Sequence, residues 1–386
     1  MPMTRRIPAR PYRAAALLAA TLLAAQVRAD LPLPAPPALD ARAWALVEYG
    51  SGQVLAGQGI DERHEPASLT KLMTAYVVFA ALKDGRLRLS DAATISERAW
   101  RSDGSRSFVN IGSQVPVEVL LKGMIVQSGN DASIALAERV AGTEYAFVDM
   151  MNAYARRLGM SATHFVDASG MPSPQHYSTA RDLAALSRAL IRDFPDHYGL
   201  FALREFAWNG IRQQNRNGLL GRDPSVDGIK TGHTESAGYC LIGSARRQGT
   251  RYIAVVLGTS GFKAREDATL ALLNYGFNFY ETVALRRAGE TVLQARVYQG
   301  TDNYVMLGTR EDVQASVPRG RAAGVTTRVS VNRPLIAPLA ASTPVGELQV
   351  YGGAELLRRV PLYPLQAMPA GGWWSRLYDT VALWFQ

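Results

Sequence analysis

The sequence predicts an α/β domain, an antiparallel sheet with flanking helices, followed by a small all-β domain and a C-terminal amphipathic helix. Between about 38 and 286, apolar residues recur with helical spacing in several segments that alternate with strand-like runs. Over 290–366 the pattern changes to short alternating runs that glycine and proline interrupt. The last segment, 371–386, sets aromatic against polar residues at helical spacing.

Each element of the α/β domain has its own signal. The run AWALVEYGSGQVLAG (43–57) indicates two strands joined by a Gly-Ser-Gly turn. We expect a helix over 66–84, because its apolar residues repeat every three or four positions, Pro66 suits a first turn and Gly85 suits an end. The same arguments predict helices over 117–126, 131–141, 180–194 and 269–283, and two strands joined by a basic turn within 237–260.

The first 29 residues are expected to be a secretory signal with cleavage after Ala29. Four arginines precede an apolar run (14–25) that is too short to span a bilayer. Without the five arginines of this segment, the 42 basic side chains fall to 37 against 33 acidic ones, so the net charge falls from +9 to about +4. That charge argues against a nucleic-acid partner. The single cysteine, Cys240, excludes an internal disulfide and lies in an apolar run, which predicts a buried core residue.

The C-terminal segment predicts contact with a membrane surface. Its length and its two charges argue against spanning, whereas its aromatic content suits the headgroup layer. The alternative is a terminal helix that docks on its own protein. The aromatic and apolar positions at helical spacing are Trp373, Trp374, Leu377, Val381, Trp384 and Phe385.

Three short patterns point to chemistry: SLTK (68–71), SGN (128–130) and KTG (230–232). Residues i and i+3 share a helix face, so Ser68 and Lys71 can touch as a nucleophile and its base. The alternative for an isolated SxxK is a serine that caps a helix beside an incidental lysine.

Two of these patterns also recur elsewhere, as SGFK (260–263) and SVN (330–332). Only the first set combines a helix-start serine, a turn between two helices and a lysine that enters a strand. The chain has five lysines against 37 arginines, yet lysine stands at both motif positions, 71 and 230. Lysine can lose its proton when it is buried and arginine cannot, which favours a role as base. HExxH, GxSxG and CxxC are absent and the five histidines lack metal-ligand spacing, so no metal or cofactor is expected.

This ordered set resembles the serine penicillin-binding protein and β-lactamase superfamily. More closely, the chain resembles the low-molecular-mass D-alanyl-D-alanine carboxypeptidases of the peptidase S11 family. The resemblance extends to NGIRQQNRNGLL (209–220), DGIKTGHTESAGYCL (227–241), VPRGR (317–321), the β domain and the amphipathic tail. It implies a transpeptidase-like fold and removal of the terminal D-alanine from peptidoglycan stem peptides. It also implies covalent inhibition by β-lactams and attachment to the periplasmic face of the inner membrane.

The resemblance also implies roles for individual residues. Ser68 forms an acyl-enzyme, Lys71 acts as its base, and Ser128 passes a proton to the departing D-alanine. Lowering the pKa of Lys71 from about 10.4 to about 7 takes roughly 4 kcal/mol, which we expect mainly from a second ammonium, that of Lys230, with burial adding to it. The remaining positions are implied in binding substrate or its oxyanion: Asn130, Lys230, Thr231, Gly232 (leaving room for substrate), the backbone N–H of His233, and Arg265 for the terminal carboxylate.

Some implied roles have alternatives. Arg265 could instead be a surface arginine paired with Glu266 or Asp267. Asp193 matches an acid that supports the site in relatives, whereas Ser169 stands where some relatives have a histidine that stabilises the loop.

Three other functions remain as alternatives. A class A-like β-lactamase would need a deacylating base such as the glutamate of ExxLN, and the corresponding region offers only Asp167. A non-catalytic peptidoglycan-binding scaffold would not need intact motifs. Endopeptidase or transpeptidase action would differ only in leaving group or acceptor.

Overall fold

The computed structural model describes residues 33–383. The predicted signal segment, 1–29, lies outside this range, as do Trp384 and Phe385 of the predicted terminal helix. The chain divides into two compact units after Pro34, and the elements described here belong to the unit that begins at Ala35.

The chain has two regions: helices and strands are interspersed as far as α9, and strands predominate from β10 onward. The helices are α1 (Lys71–Lys83), α2 (Glu97–Trp100), α3 (Val117–Lys122), α4 (Asn130–Ala141), α5 (Glu144–Arg157), α6 (Ala180–Asp193), α7 (Pro195–Tyr198), α8 (Leu219–Arg222), α9 (Phe262–Phe279) and α10 (Trp373–Leu383). The strands are β1 (Ala43–Glu48), β2 (Val54–Gln58), β3 (Ala92–Thr94), β4 (Gln114–Pro116), β5 (Glu205–Trp208), β6 (Ile211–Gln214), β7 (Val226–Thr234), β8 (Gly238–Arg247), β9 (Thr250–Thr259), β10 (Tyr280–Arg286), β11 (Thr291–Tyr298), β12 (Tyr304–Gly308), β13 (Val313–Pro318), β14 (Val325–Val331), β15 (Leu335–Ile336), β16 (Gly346–Gly352) and β17 (Glu355–Pro364).

The main sheet has the strand order β2-β1-β9-β8-β7, and each neighbouring pair is antiparallel. This confirms the predicted antiparallel sheet with flanking helices. β8 and β9 occupy the middle and bury long apolar runs, Cys240 among them. Burial raises the pKa of the Cys240 thiol to about 11, as expected of a core residue. β7 lies at the edge, so the KTG segment has a free side for another chain.

The helix α1 runs through the core of the first region. All its residues from Lys71 to Ala81 are buried, and it contacts α4, α5 and α6. A helix that is apolar all round is expected inside a core. The same position encloses the Lys71 side chain, of which 1% is exposed.

Two motif residues lie at irregular turns beside α1 and α4. Ser68 belongs to the 3-10 turn Ala67–Thr70, which continues directly into α1. Ser128 follows a π-helical turn, Gly123–Gln127, and has φ +65° and ψ +33°. A non-glycine residue in the left-handed region is uncommon and is often found at a functional site. The helix predicted over 117–126 is therefore α-helical only as far as Lys122.

The second region is all β, as predicted. Its strands form a six-stranded sheet, β14-β16-β17-β12-β11-β15, and the pair β10-β13. The predicted alternating runs correspond to β11, β12, β14, β16 and β17. The sequence pattern did not predict β13 or the short β15.

The helix predicted over 269–283 is wrong at both ends. α9 begins seven residues earlier, at Phe262, and stops at Phe279. The next residues, Tyr280–Arg286, form β10, which pairs with β13. The predicted domain boundary at 286 therefore falls at the end of a strand that pairs with the β region. These residues form a strand and not a helix because their pairing with β13 overrides the weak local helical pattern.

The terminal helix α10 contacts β11 and the turn that follows it. Asp379 Oδ2 accepts a hydrogen bond from the Gln299 N–H at 2.5 Å, and Thr380 Oγ1 accepts one from Gln299 Nε2 at 3.0 Å. Trp373, Trp374 and Leu377 remain 64, 67 and 53% exposed. Two polar side chains of the helix thus contact Gln299, and Trp373, Trp374 and Leu377 form an aromatic face that is left uncovered. Within residues 33–383, no helix has the length and apolar character needed to cross a bilayer.

Candidate active site

The Lys71 amine lies at the centre of a cluster of polar atoms. Its Nζ is 3.0 Å from Ser68 Oγ, 2.7 Å from Asn130 Oδ1 and 2.6 Å from the carbonyl oxygen of Ser169. The Ser68 contact comes from neighbouring turns of one helical segment, as the i, i+3 spacing predicts. The other two contacts come from α4 and from a loop 98 residues further along the chain.

These three contacts fit a neutral amine. A neutral lysine has two N–H donors and one lone pair, and two of its neighbours here, Asn130 Oδ1 and the Ser169 carbonyl, can only accept. The third neighbour, the Ser68 hydroxyl, can donate to the lone pair. The arrangement therefore suits proton transfer from Ser68 to Lys71.

Burial lowers the pKa of Lys71 to about 7, because the enclosed side chain loses the hydration that favours its ammonium form. The carboxylates of Asp167 and Asp131 oppose this shift, and the Arg216 guanidinium adds to it. A base with a pKa near 7 is half unprotonated at neutral pH, as general-base catalysis requires.

The expected origin of this shift was wrong in one respect. We expected the Lys230 ammonium to supply most of it, but desolvation is the largest cause. Lys230 is also buried, and its pKa lies well below the usual value because of desolvation first and then the charges of Lys71, Arg216 and Arg265. Both amines are thus held in a site that disfavours positive charge.

Ser128 and Asn130 lie beside the two lysines. Lys230 Nζ donates to Ser128 Oγ at 3.0 Å and to the Thr231 carbonyl at 3.0 Å. Asn130 Nδ2 donates to the Asp103 carbonyl at 2.6 Å, which fixes the orientation of the amide so that its oxygen faces Lys71. The residues of the three motifs are therefore brought together at one place.

A cleft of about 440 Å³ opens above these residues. Ser68, Ser128 and Asn130 line one part of it, and Thr231, Gly232 and His233 of the edge strand line another. The remaining wall comes from three loops, from the end of β7 and from α9, through Gly104, Ser105, Ser169, Gly170, Met171, Pro172, Arg216, Thr234, Phe262 and Arg265. An extended chain could lie along β7 and reach the Ser68 hydroxyl.

Arg265 faces this cleft from α9 and is only 2% exposed. It donates to the carbonyl oxygens of Gly232 at 3.2 Å and Arg216 at 3.3 Å, and its Nε has no hydrogen-bond partner. Glu266 and Asp267 pair instead with Arg222. The alternative of a surface arginine paired with Glu266 or Asp267 therefore does not describe Arg265.

Arg216 was not singled out from the sequence. It also lines the cleft, and its charge acts on Lys71, Lys230 and Arg265. The segment that contains it, 209–220, carries part of the family resemblance, but nothing in the spacing marks this arginine as facing the site. Two guanidinium groups in one cleft suit a carboxylate ligand.

Gly232 lies against the turn that carries Ser68. A Cβ at this position would lie 3.1 Å from the Pro66 carbonyl oxygen and 3.2 Å from Leu69 Cγ. The missing side chain thus makes room for the turn that carries Ser68. On the same strand, the His233 ring stacks on Tyr239 with centroids 4.0 Å apart.

Asp193 lies away from this cluster, at the end of α6. Its Oδ2 accepts a hydrogen bond from Tyr76 OH at 2.7 Å, and Arg192 pairs with the same carboxylate. Since Tyr76 belongs to α1, Asp193 supports the helix that carries Lys71 without contacting the cleft.

The loop at 167–171 is stabilised without a histidine at 169. Asp167 Oδ1 accepts hydrogen bonds from the Ser169 N–H and Oγ at 2.7 and 2.9 Å and from the Gly170 N–H at 2.6 Å. Asp167 is thus engaged with its own loop and is not among the residues that line the cleft. This position does not suit a deacylating base of the β-lactamase type.

Known proteins match most of the chain. The family profile described as D-alanyl-D-alanine carboxypeptidase matches residues 32–261, and that of the penicillin-binding protein 5 C-terminal domain matches 280–370. D-alanyl-D-alanine carboxypeptidase DacA of Escherichia coli K12 is 41% identical over 361 residues, which cover 92% of this chain and 90% of the relative. DacD of Salmonella typhimurium is 41% identical over 354 residues, with 90 and 91% coverage.

A solved structure shows the same architecture. Penicillin binding protein 5 from Haemophilus influenzae superposes with a TM-score of 0.80 at 38% sequence identity. The match covers 87% of this chain and 99% of that one. It therefore includes both the α/β region and the β region.

Proposed function

The chain belongs to the D-alanyl-D-alanine carboxypeptidase family of penicillin-binding proteins, and from this premise we propose that it cleaves the D-Ala-D-Ala end of peptidoglycan stem peptides through an acyl-enzyme at Ser68. The observation that carries the mechanism is the buried Lys71 amine, 3.0 Å from Ser68 Oγ and with a pKa of about 7. The family assignment carries the enzymatic class and its role in the cell wall.

In the acylation step, Lys71 takes the proton of the Ser68 hydroxyl while its oxygen attacks the carbonyl of the scissile bond. The negative charge that develops on the carbonyl oxygen needs preorganised donors. The backbone N–H groups of Ser68 and His233 are our candidates, because both residues line the cleft and the first-turn N–H groups of a helix lack intrahelical acceptors.

The bond to the terminal D-alanine then breaks, and its nitrogen must gain a proton. Ser128 is placed for this transfer, since its hydroxyl lines the cleft and lies 3.0 Å from Lys230 Nζ. Lys230 can supply or accept the proton behind Ser128, because its own pKa is lowered by burial and by Lys71. A water molecule finally hydrolyses the acyl-enzyme.

The enzyme recognises its substrate by the carboxylate of the terminal D-alanine. Arg265 and Arg216 present two guanidinium groups to the cleft, and Thr231 adds a hydroxyl. The same features suit the carboxylate of a β-lactam, which we expect to acylate Ser68 and to be released slowly.

We also propose export by the segment 1–29 and peripheral attachment to the outer face of the inner membrane. The uncovered aromatic face of α10, formed by Trp373, Trp374 and Leu377, supports attachment, since such side chains partition into the headgroup layer. Trp384 and Phe385, which the sequence predicts at the same helical spacing, lie outside the described part of the chain.

One experiment tests the proposed reaction. The protein is incubated with penicillin, its intact mass is measured, and the modified residue is mapped; in parallel, D-alanine release is measured from a pentapeptide that ends in D-Ala-D-Ala. We expect one stable adduct on Ser68 and stoichiometric loss of one D-alanine, both abolished in Ser68→Ala. Rapid multiple turnover of penicillin would favour a β-lactamase, and absence of D-alanine release would favour a binding scaffold.

A further inference from the structure

The loop that carries the Ser169 carbonyl is held by two side chains that have no part in the mechanism above. Asp167 Oδ1 accepts hydrogen bonds from the backbone N–H groups of Ser169 and Gly170 at 2.7 and 2.6 Å. His176 is 1% exposed, and its Nδ1 lies 3.4 Å from Asp167 Oδ2 without an aligned hydrogen bond. On the other side of the ring, Nε2 shares a 2.8 Å hydrogen bond with Thr70 Oγ1.

This chain of contacts ends beside the catalytic cluster. Thr70 lies between Ser68 and Lys71 in the sequence, and its side chain faces the loop. The loop also meets the nucleophile turn directly: Gly170 has φ +89°, and a Cβ there would lie 1.8 Å from the Ala67 carbonyl oxygen. Because the two backbones approach so closely, the position of the neighbouring Ser169 carbonyl is tightly constrained.

The Asp167 carboxylate also acts electrostatically on the Lys71 amine. Burial alone would raise the pKa of Asp167, but the His176 ring and the N–H groups of Gly170 and Ser169 together hold it well below its usual range. Asp167 is therefore ionised at neutral pH. Its charge favours the ammonium form of Lys71, together with Asp131 and against Arg216 and burial.

We propose that Asp167 and His176 are positioning residues for the reaction: they hold the Ser169 carbonyl against the Lys71 amine and so direct its lone pair at Ser68. The inference rests on the proposed function, since it concerns the base of that reaction. Asp167 has two effects, one on the geometry of the base and one on its proton affinity. Removing it should change both.

The test is the rate of acylation by a fluorescent penicillin as a function of pH, measured on the full chain and normalised to the fraction that can be labelled. For Asp167→Asn we expect labelling at Ser68 with a plateau rate about tenfold lower. We also expect the midpoint of the pH profile to fall by about half a unit or more, since loss of the carboxylate destabilises the ammonium form. A role in folding alone would not move this midpoint.

A second variant covers the case in which Asp167→Asn does not fold. His176→Gln leaves the Asp167 charge in place, so we expect a plateau rate that falls by about fivefold or more with a midpoint nearly unchanged. The matched control is Asp182→Asn. Asp182 is another buried carboxylate of the same region, but it holds the Ala162 N–H at 3.0 Å and Thr163 Oγ1 at 2.7 Å, away from Ser169. Its loss should lower the melting temperature and leave both kinetic quantities unchanged.

The inference is overturned if Asp167→Asn and His176→Gln, or His176→Gln alone where the other does not fold, acylate with the wild-type plateau and midpoint. It is also overturned if Asp182→Asn changes the profile as Asp167→Asn does, because the effect would then be general destabilisation. Failure of the proposed function gives a different result, namely a wild-type protein that penicillin does not label at Ser68.

Discussion

Arg265 donates a hydrogen bond to the Gly232 carbonyl oxygen across 3.2 Å. This bond connects the side chain proposed to hold the substrate carboxylate with the strand proposed to pair with the substrate backbone. The buried guanidinium is thus held in place before substrate arrives. A preorganised charge costs little reorganisation when a ligand binds.

The first prediction concerns this arginine. Arg265→Gln should lower kcat/KM for a peptide with a free terminal carboxylate by about 30-fold, since a charge-assisted hydrogen bond contributes about 2 kcal/mol. The same variant should have little effect on a peptide whose terminus is an amide, so the discrimination between the two peptides should shrink. The matched control is Arg222→Gln, because Arg222 is more exposed and pairs with Glu266 and Asp267. Equal losses on both peptides would contradict the assignment.

The second prediction concerns pH. Below the Lys71 pKa of about 7 the amine is protonated and cannot accept the Ser68 proton. The acylation rate should therefore rise with pH, be half-maximal near that value, and fall about tenfold per unit well below it. Stopped-flow measurement with a fluorescent penicillin between about pH 5 and about pH 9 checks this. A flat profile over that interval would assign the base to another group.

The third prediction separates a base from a mere positive charge. Lys71→Arg keeps the charge but cannot lose a proton near neutral pH, so acylation should fall by about a thousandfold. Lys71→Met removes the charge and keeps much of the volume. Its acylation rate should fall as far, while near-ultraviolet circular dichroism shows an intact core. The control is Lys83→Arg at the other end of α1, which should acylate within about twofold of wild type. Appreciable acylation of Lys71→Arg would contradict the role of Lys71 as general base.

The fourth prediction concerns the contact between β7 and the nucleophile turn. Gly232→Ala would put a Cβ 3.1 Å from the Pro66 carbonyl oxygen, so the turn must shift by a few tenths of an ångström. Small displacements of reacting groups are costly, and we expect acylation to slow about tenfold. Gly221→Ala serves as control, since a Cβ there meets no atom within 4 Å. Wild-type acylation in Gly232→Ala, with the new methyl group ordered in a crystal structure, would show that the turn is not so constrained.

The fifth prediction concerns attachment to membranes. Replacing Trp373, Trp374 and Leu377 with serine should strongly reduce sedimentation with phospholipid vesicles, because burial of these side chains contributes to the attraction. Trp100→Ser tests whether any partly exposed tryptophan has this effect, and it should sediment as wild type does. Penicillin acylation in solution should be unchanged in both variants. Undiminished sedimentation of the triple variant would show that this exposed face does not hold the protein on vesicles.

Local arguments worked where the interacting groups are close in the sequence. Ser68 and Lys71 meet because helical geometry places i and i+3 on one face, and Lys230 lies in a strand, β7, as predicted. The end of α9 was mispredicted because Tyr280–Arg286 pairs with a strand that had itself gone unrecognised. Pairing between distant segments has no local signature.

Residue types, their order and their short-range spacing determined the family, the antiparallel sheet with its helices, and the set of motif residues that form the cluster. Tertiary packing alone decided what those residues can do. The Ser169 carbonyl is a backbone group that any residue would provide, and Arg216 is one arginine among many. Burial, which is the largest cause of the low Lys71 pKa, is a property of everything packed around α1 and cannot be read from the lysine or its neighbours in the chain.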